Sequence, residues 1–274
     1  MKEQFAVARP PEAILATNKV IRNTYTLLSI TLLFSALAAG LALVFEMPFL
    51  GIFVTLGGYF GLLFLTSKFR NSSFGIVCVF ALTGFMGLTL GPLIGAYLNA
   101  FSNGSELVMM ALGGTGVIFL GLSGYALTTR KDFSFMGGFL MVGILVAFFA
   151  GLGAVMFDAP GAMLAVSAMF VLLMAGLILW QTSQLVHGGE TNYIMATVTL
   201  YISIYNLFTS LLHLLGIFGG DDESKLLSPD DDPNPGPVPG FVFTGQGETR
   251  DGRLGTNTVG HRWSDPFVPV LAGR

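Results

Sequence analysis

Seven apolar runs divide this chain and leave it few ways to fold. They lie at about 25–46, 49–67, 74–98, 107–129, 133–157, 161–186 and 191–218. Each holds roughly 20 mostly apolar residues or more, enough for a helix to cross a hydrocarbon core of about 30 Å. The second is the shortest. In lipid every backbone polar group must bond internally, so spans of this kind are helices. The predicted fold class is all-α: a polytopic membrane protein with seven transmembrane helices.

The charges agree with that reading. Only 11% of residues are charged against 53% hydrophobic. Up to Gly220 there are eight Lys or Arg and seven Asp or Glu, nearly all in the gaps between apolar runs. No basic patch suggests nucleic acid. The single cysteine, Cys78, lies inside an apolar run, where a small buried role is expected and no internal disulfide can form. The first run is too long for a signal-peptide core and reads as an anchor.

Lys and Arg also set an expected orientation. Lys2, Arg9, Lys19 and Arg22 precede the first span, Lys68 and Arg70 follow the second, and Arg130 and Lys131 follow the fourth. The gaps at Glu46-Met47-Pro48, Asn99 to Glu106 and Asp158-Ala159-Pro160 carry none. The N-terminus is therefore expected in the cytoplasm and, with seven crossings, the C-terminus outside. The domain reading is residues 1–24 as a cytoplasmic N-terminal segment, 25–220 as the transmembrane domain and 221–274 as a tail. The tail is rich in Asp, Pro and Gly and has no helix or strand period. It is expected to be disordered, and a non-native extension is one of its readings.

The stretch Val186 to Leu215 organises the rest. It opens on a polar turn, His187-Gly188-Gly189-Glu190, and then runs apolar for a full span. Thr199, Ser203, Asn206, Ser210 and His213 follow one another at intervals of four, three, four and three residues, a single stripe on one helix face. Unpaired polar groups are costly in lipid, so the stripe should face protein or a wet cavity. This places the seventh helix at the centre of the bundle. The competing reading is that the hydroxyls bond back to their own helix; Asn206 and His213 are expected to be unable to do so. The turn is expected to join two helices and cap the seventh.

Small residues recur at helix-packing spacing: Gly87, Gly91 and Gly95 in the third run, Gly57 and Gly61 in the second, and Gly143, Ala147 and Gly151 in the fifth. Pro92 inside the third run is expected to kink it. No carboxylate, Lys or Arg lies in the middle of a span, which weighs against ion-coupled transport. Gly121-Leu122-Ser123-Gly124 resembles the nucleophile motif of rhomboid proteases, with His213 as a candidate base. Ser123 falls about 24 Å into its span from one face, and His213 about 33 Å into its own from the other. The two should sit at opposite sides, so packing is the expected role of Ser123. No catalytic residue, cofactor site or metal site is expected.

Four segments together resemble the bacterial, YccA-like branch of the Bax inhibitor 1 family. They are NKVIRNTYTLLSITLLFSA (Asn18 to Ala36), LTGFMGLTLGPL (Leu82 to Leu93), LTTRKDFSFMGG (Leu127 to Gly138) and HGGETNYI-x-ATV (His187 to Val198). The similarity covers roughly residues 15–220. It implies a seven-helix fold with the last helix central. It also implies a non-enzymatic, multi-pass protein of the bacterial inner membrane, whose partners are the lipid bilayer and FtsH. FtsH is a membrane-anchored ATP-dependent protease, and its proteolysis of membrane proteins would be modulated. The alternative is a cation (calcium) leak channel of the wider family, gated by two carboxylates on the last two helices. The matching positions here are Gln181 and Ser203. Both carboxylates are substituted, so that gating mechanism does not carry over.

Overall fold

A computed structural model describes residues 11–227, with side-chain surroundings for 15–219. The described chain is helical throughout: α1 (Pro11–Val44), α2 (Ile52–Lys68), α3 (Phe74–Ala100), α4 (Gly104–Thr129), α5 (Met136–Met156), α6 (Pro160–His187) and α7 (Tyr193–Leu227). Six of these are long and apolar enough to cross a membrane, and α2, with 17 residues, is the short one.

The helix limits follow local chemistry. Both α1 and α6 begin on proline, whose fixed φ suits the first helical position and whose missing N–H is no loss there. In α1 the helix thus starts fourteen residues before the apolar run, because helical backbone needs no lipid around it. Of the N-terminal segment 1–24, residues 11–24 belong to α1, and 1–10 lie outside the described residues. At the other terminus α7 continues past Gly220 to Leu227, and the remainder of the tail, 228–274, lies outside the described residues. Gly188 ends α6 in the left-handed region at φ 73°, and the amides of Gly189 and Glu190 close back on the Gln184 carbonyl. Glu46, Arg130 and Asp158 adopt the same region at other helix ends.

Helix packing follows the small residues. A Cβ on Gly87 would strike the Ser35 carbonyl and one on Gly91 would strike Ala42, so α3 lies directly on α1. Gly95 continues this face against Leu43. Gly143 and Gly151 bring α5 onto Leu173 and Val166 of α6, with Ala147 fully buried between them. Gly57 and Gly61 do not share this role: nothing lies within 4 Å of a Cβ at either, and it is Gly58 that seats Phe85 of α3. The α3 helix is continuous through Pro92, which cannot donate to the Leu88 carbonyl.

The seventh helix packs against α1, α3, α4 and α6. Its Ala196, Leu200, Tyr201 and Leu207 join Leu28, Val79, Leu82 and Ile178 in the main core. Farther along, Phe208 and Leu212 join Tyr97, Leu107 and Ala111 in a second cluster. Around the perimeter, Leu33, Leu37, Phe53, Phe64, Leu120, Phe139, Phe149 and Leu172 point outward. An apolar belt of this kind has lipid, not water, as its solvent.

Candidate functional site

Along α7, Ser203 and Ser210 are buried, and Thr199, Asn206 and His213 are half-buried. Several of these polar groups bond within their own helix. Ser203 Oγ donates to the Thr199 carbonyl (2.7 Å), and Thr209 Oγ1 to that of Tyr205 (3.1 Å). Asn206 Nδ2 donates to the Ile202 carbonyl at 2.9 Å. The expectation that Asn206 could not satisfy itself in this way is therefore wrong. A carbonyl one turn back is within reach of any short polar side chain, and the amide uses it as a hydroxyl does. His213 does reach another helix: its Nδ1 lies 2.6 Å from Ser167 Oγ on α6. Ser167 Oγ also donates to the Met163 carbonyl (3.0 Å), so the histidine Nδ1–H is the donor in the arrangement that satisfies both.

The ties between helices come largely from tyrosines that lie off the polar stripe. Tyr201 Oη is 2.6 Å from Ser35 Oγ on α1 and donates to the Thr83 carbonyl on α3 at 3.2 Å. One turn on, Tyr205 Oη pairs with Thr89 Oγ1 of α3 at 3.0 Å. Tyr25 Oη of α1 meets Thr182 Oγ1 of α6 at 3.2 Å, and Ser123 of α4 completes that group at 3.4 Å. Thr197 Oγ1 of α7 faces the Thr24 carbonyl at 3.3 Å and its own Tyr193 carbonyl at 2.7 Å. A buried tyrosine hydroxyl must find a partner. The signal in the sequence was thus a tyrosine in mid-span, which a count of apolar letters conceals.

Gln181 is buried on α6, and its Nε2 has no hydrogen-bond partner among the described residues. Ser203, the other position of the family's carboxylate pair, bonds to its own helix, so no hydrogen bond joins the two. Neither side chain titrates at these positions. Ser123 and His213 are held against Thr182 and Ser167 respectively, two residues about 22 Å apart along α6 at about 1.5 Å per residue. They form no nucleophile–base pair.

The turn His187-Gly188-Gly189-Glu190 belongs to a polar assembly that gathers three connections. Its own cap on α7 is Asn192, whose Oδ1 accepts from the amides of Ile194 (3.0 Å) and Met195 (3.1 Å). Glu190 Oε1 steadies that cap through the Asn192 amide (2.7 Å), so the capping expected of the motif falls to its neighbour. Asn192 Nδ2 donates to the Arg70 carbonyl and to Asn71 Oδ1, tying down the α2–α3 connection. His187 Nδ1 and Nε2 face the carbonyls of Ser183 (2.9 Å) and Arg130 (3.0 Å). Ser183 Oγ donates to the Lys131 carbonyl and accepts from the Phe133 amide, and Gln184 Nε2 donates to Ser134 Oγ. Asp132 lies fully exposed in the α4–α5 connection. Its hydrogen bonds from Ser134 and the nearby His187 charge hold its carboxyl below the usual aspartate range. Among the described residues no group of three or more His, Cys, Asp or Glu could hold a metal ion.

The family model Bax1-I, inhibitor of apoptosis-promoting Bax1, matches residues 17–220. A modulator of FtsH protease, YccA, from Escherichia coli strain K12 is 49% identical over 209 residues, covering 76% of this chain and 94% of that protein. An uncharacterised protein of Pseudomonas aeruginosa is 53% identical over 203 residues, 74% of this chain and 91% of its own length. An uncharacterised membrane protein of Vibrio cholerae is 45% identical over 212 residues, 77% and 95% of the two chains.

Proposed function

The chain belongs to the Bax1-I family, and on that premise we propose that it binds FtsH and modulates its proteolysis of membrane proteins. The observation that carries this reading is the 49% identity, over nearly the whole length of the relative, to a protein named as a modulator of that protease. In the proposal this chain is a non-enzymatic, multi-pass protein of the inner membrane. Its Lys- and Arg-bearing connections lie in the cytoplasm, and the end of α7 lies in the periplasm. A bundle closed by Gly87 and Gly91 against α1 is hard to pull apart helix by helix. It would occupy a processive protease at the membrane without yielding to it, with the N-terminal segment, residues 1–24, as the handle the protease engages. The cation-leak reading has less support, since Gln181 and Ser203 leave no carboxylate at either position of the family's gating pair.

FtsH turnover of a labelled membrane substrate in proteoliposomes tests the proposal, using this chain ended at Leu227. Slower turnover together with co-purification is expected. Unchanged turnover at saturating protein would sink it. Deleting residues 2–20 is expected to abolish association; association that survives would remove the handle and leave the modulator reading standing. Orientation can be read separately, because the only native cysteine is buried. A cysteine placed at Lys131 should resist a membrane-impermeant maleimide added to intact spheroplasts, and one placed at Phe157 should react.

A further inference from the structure

A cleft of about 420 Å³ opens where the first turns of α1 meet the ends of α4 and α6. It is lined by Thr17, Asn18, Ile21, Leu127, Arg130, Val186 and His187. We propose that this cleft binds the headgroup of one anionic phospholipid. The lining is divided as such a lipid would need. Arg130, Thr17 and Asn18 offer a guanidinium, a hydroxyl and an amide, while Ile21, Leu127 and Val186 form an apolar wall. The volume lies within the range of about 300–1,000 Å³ common for small-molecule sites.

Depth points the same way. The apolar part of α1 runs from Leu15 to Val44, 30 residues. At about 1.5 Å per residue that is about 45 Å, some 15 Å more than a hydrocarbon core. Measured from Val44, the core ends near Thr24. Ile21 then falls about 5 Å beyond it and Thr17 about 10 Å beyond it, at the level of lipid phosphates. Basic clefts between helices at this depth suit phosphate headgroups, and a guanidinium meets two phosphate oxygens at once.

Charge selects an anionic lipid over a zwitterionic one. No carboxylate lines the cleft to receive an ammonium group. Asp132, two residues from Arg130, accepts from the Ser134 amide. Arg130 makes no ion pair among the described residues, and exposed Lys19, Arg22 and Lys131 stand next in sequence to the lining residues Asn18, Ile21 and Arg130. The ring nitrogens of His187 are taken by the carbonyls of Ser183 and Arg130, so His187 fixes the position of Arg130. A soluble phosphate would leave the apolar wall facing water, and a lipid covers it.

The full chain, purified in neutral detergent, is titrated with dioleoyl-phosphatidylglycerol, dioleoyl-phosphatidylcholine or inorganic phosphate. Adducts are counted by native mass spectrometry and Tm is followed in parallel. One tightly held phosphatidylglycerol is expected, with a rise in Tm that phosphatidylcholine does not reproduce. Arg130 occupies the left-handed region, so Arg130→Asn is the variant that keeps the backbone. It should weaken retention about tenfold, as losing a charged hydrogen-bond donor implies. Arg130→Lys should recover part of the loss, and Lys131→Gln, outside the lining, should change retention less than about twofold. Thr17→Val is the second lining variant and should also weaken retention. Equal retention of both lipids overturns the proposal, as does equal loss in the Arg130 and Lys131 variants. A Tm rise with inorganic phosphate matching that with phosphatidylglycerol would replace the lipid by a soluble anion.

Discussion

The two ends of the bundle are built differently. At the end carrying Arg70, Arg130 and Lys131, side chains of α6 and of the turn after it bond to the α2–α3 and α4–α5 connections. Asn192, Ser183, Gln184 and His187 each reach a backbone or side-chain group of another connection. At the other end Asn103 Nδ2 of the α3–α4 connection donates to the Gly219 carbonyl of α7, at 3.1 Å. The α1–α2 and α5–α6 connections there close through left-handed Glu46 and Asp158 and expose Phe45, Phe49, Met156 and Phe157. One end fixes the register of its helices through directed bonds. The other depends on how closely the backbones fit, as between Gly91 and Ala42. The hydrophobic effect gives no drive between helices inside lipid, so these are the two means left, and the chain uses one at each end.

That contrast can be broken most forcefully at the packed end. Gly91→Ile drives a branched side chain into Ala42, with no flexible neighbour to yield, and should cost about 3 kcal/mol. Loss of monodisperse protein on size exclusion after mild heating would register it; an unchanged Tm would mean that α1 and α3 are not held by this contact. At the bonded end, Asn192→Ala uncaps α7 and releases the Arg70 carbonyl and Asn71, and should cost about 1–2 kcal/mol. Hydrogen exchange should rise at Arg70 to Ser73 as well as at Ile194, a double signature that simple loss of a cap does not give.

In the middle of the bundle, Tyr201→Phe removes two bonds between helices and should cost roughly 1 kcal/mol. Asn206→Leu, which removes a bond within its own helix, should cost less; the reverse order would restore the polar stripe as the seam of the bundle. The smallest effect is acid-dependent. The carboxyl of Asp132 is held low in the folded chain, so its contribution is fully present above the ordinary aspartate pKa of about 3.9. It is lost as pH falls through the lowered folded value. Local exchange at Ser134 should rise in that window, and Asp132→Asn should remove the pH dependence.

The seven helices were legible because charges and turn residues stand between the apolar runs and almost nowhere within them. Where α1 begins was not, because Lys19 and Arg22 mark the end of the lipid-facing part, whereas Pro11 marks the end of the helix. The stripe on α7 was legible as a period but not as a set of partners. A hydroxyl or amide in a helix always has an i−4 carbonyl to compete with its neighbours, and at Ser203 and Asn206 that carbonyl wins. Tyrosine cannot bond back in this way, which is why Tyr201 and Tyr205 make the crossings. Glycine spacing identified α3 as a packing helix without telling which helix it meets. The same spacing at Gly57 and Gly61 met nothing.

The shortness of α2 carries over to the surrounding bilayer. Its 17 residues span about 25 Å, whereas α3, packed against it, has 27 residues, about 40 Å. The apolar height of the protein therefore changes around its circumference, and lipids next to α2 must shorten to match it. A fraction of a kcal/mol per Å of mismatch gives membrane thickness a hold on this side of the bundle, so a thinner bilayer favours the chain as it stands.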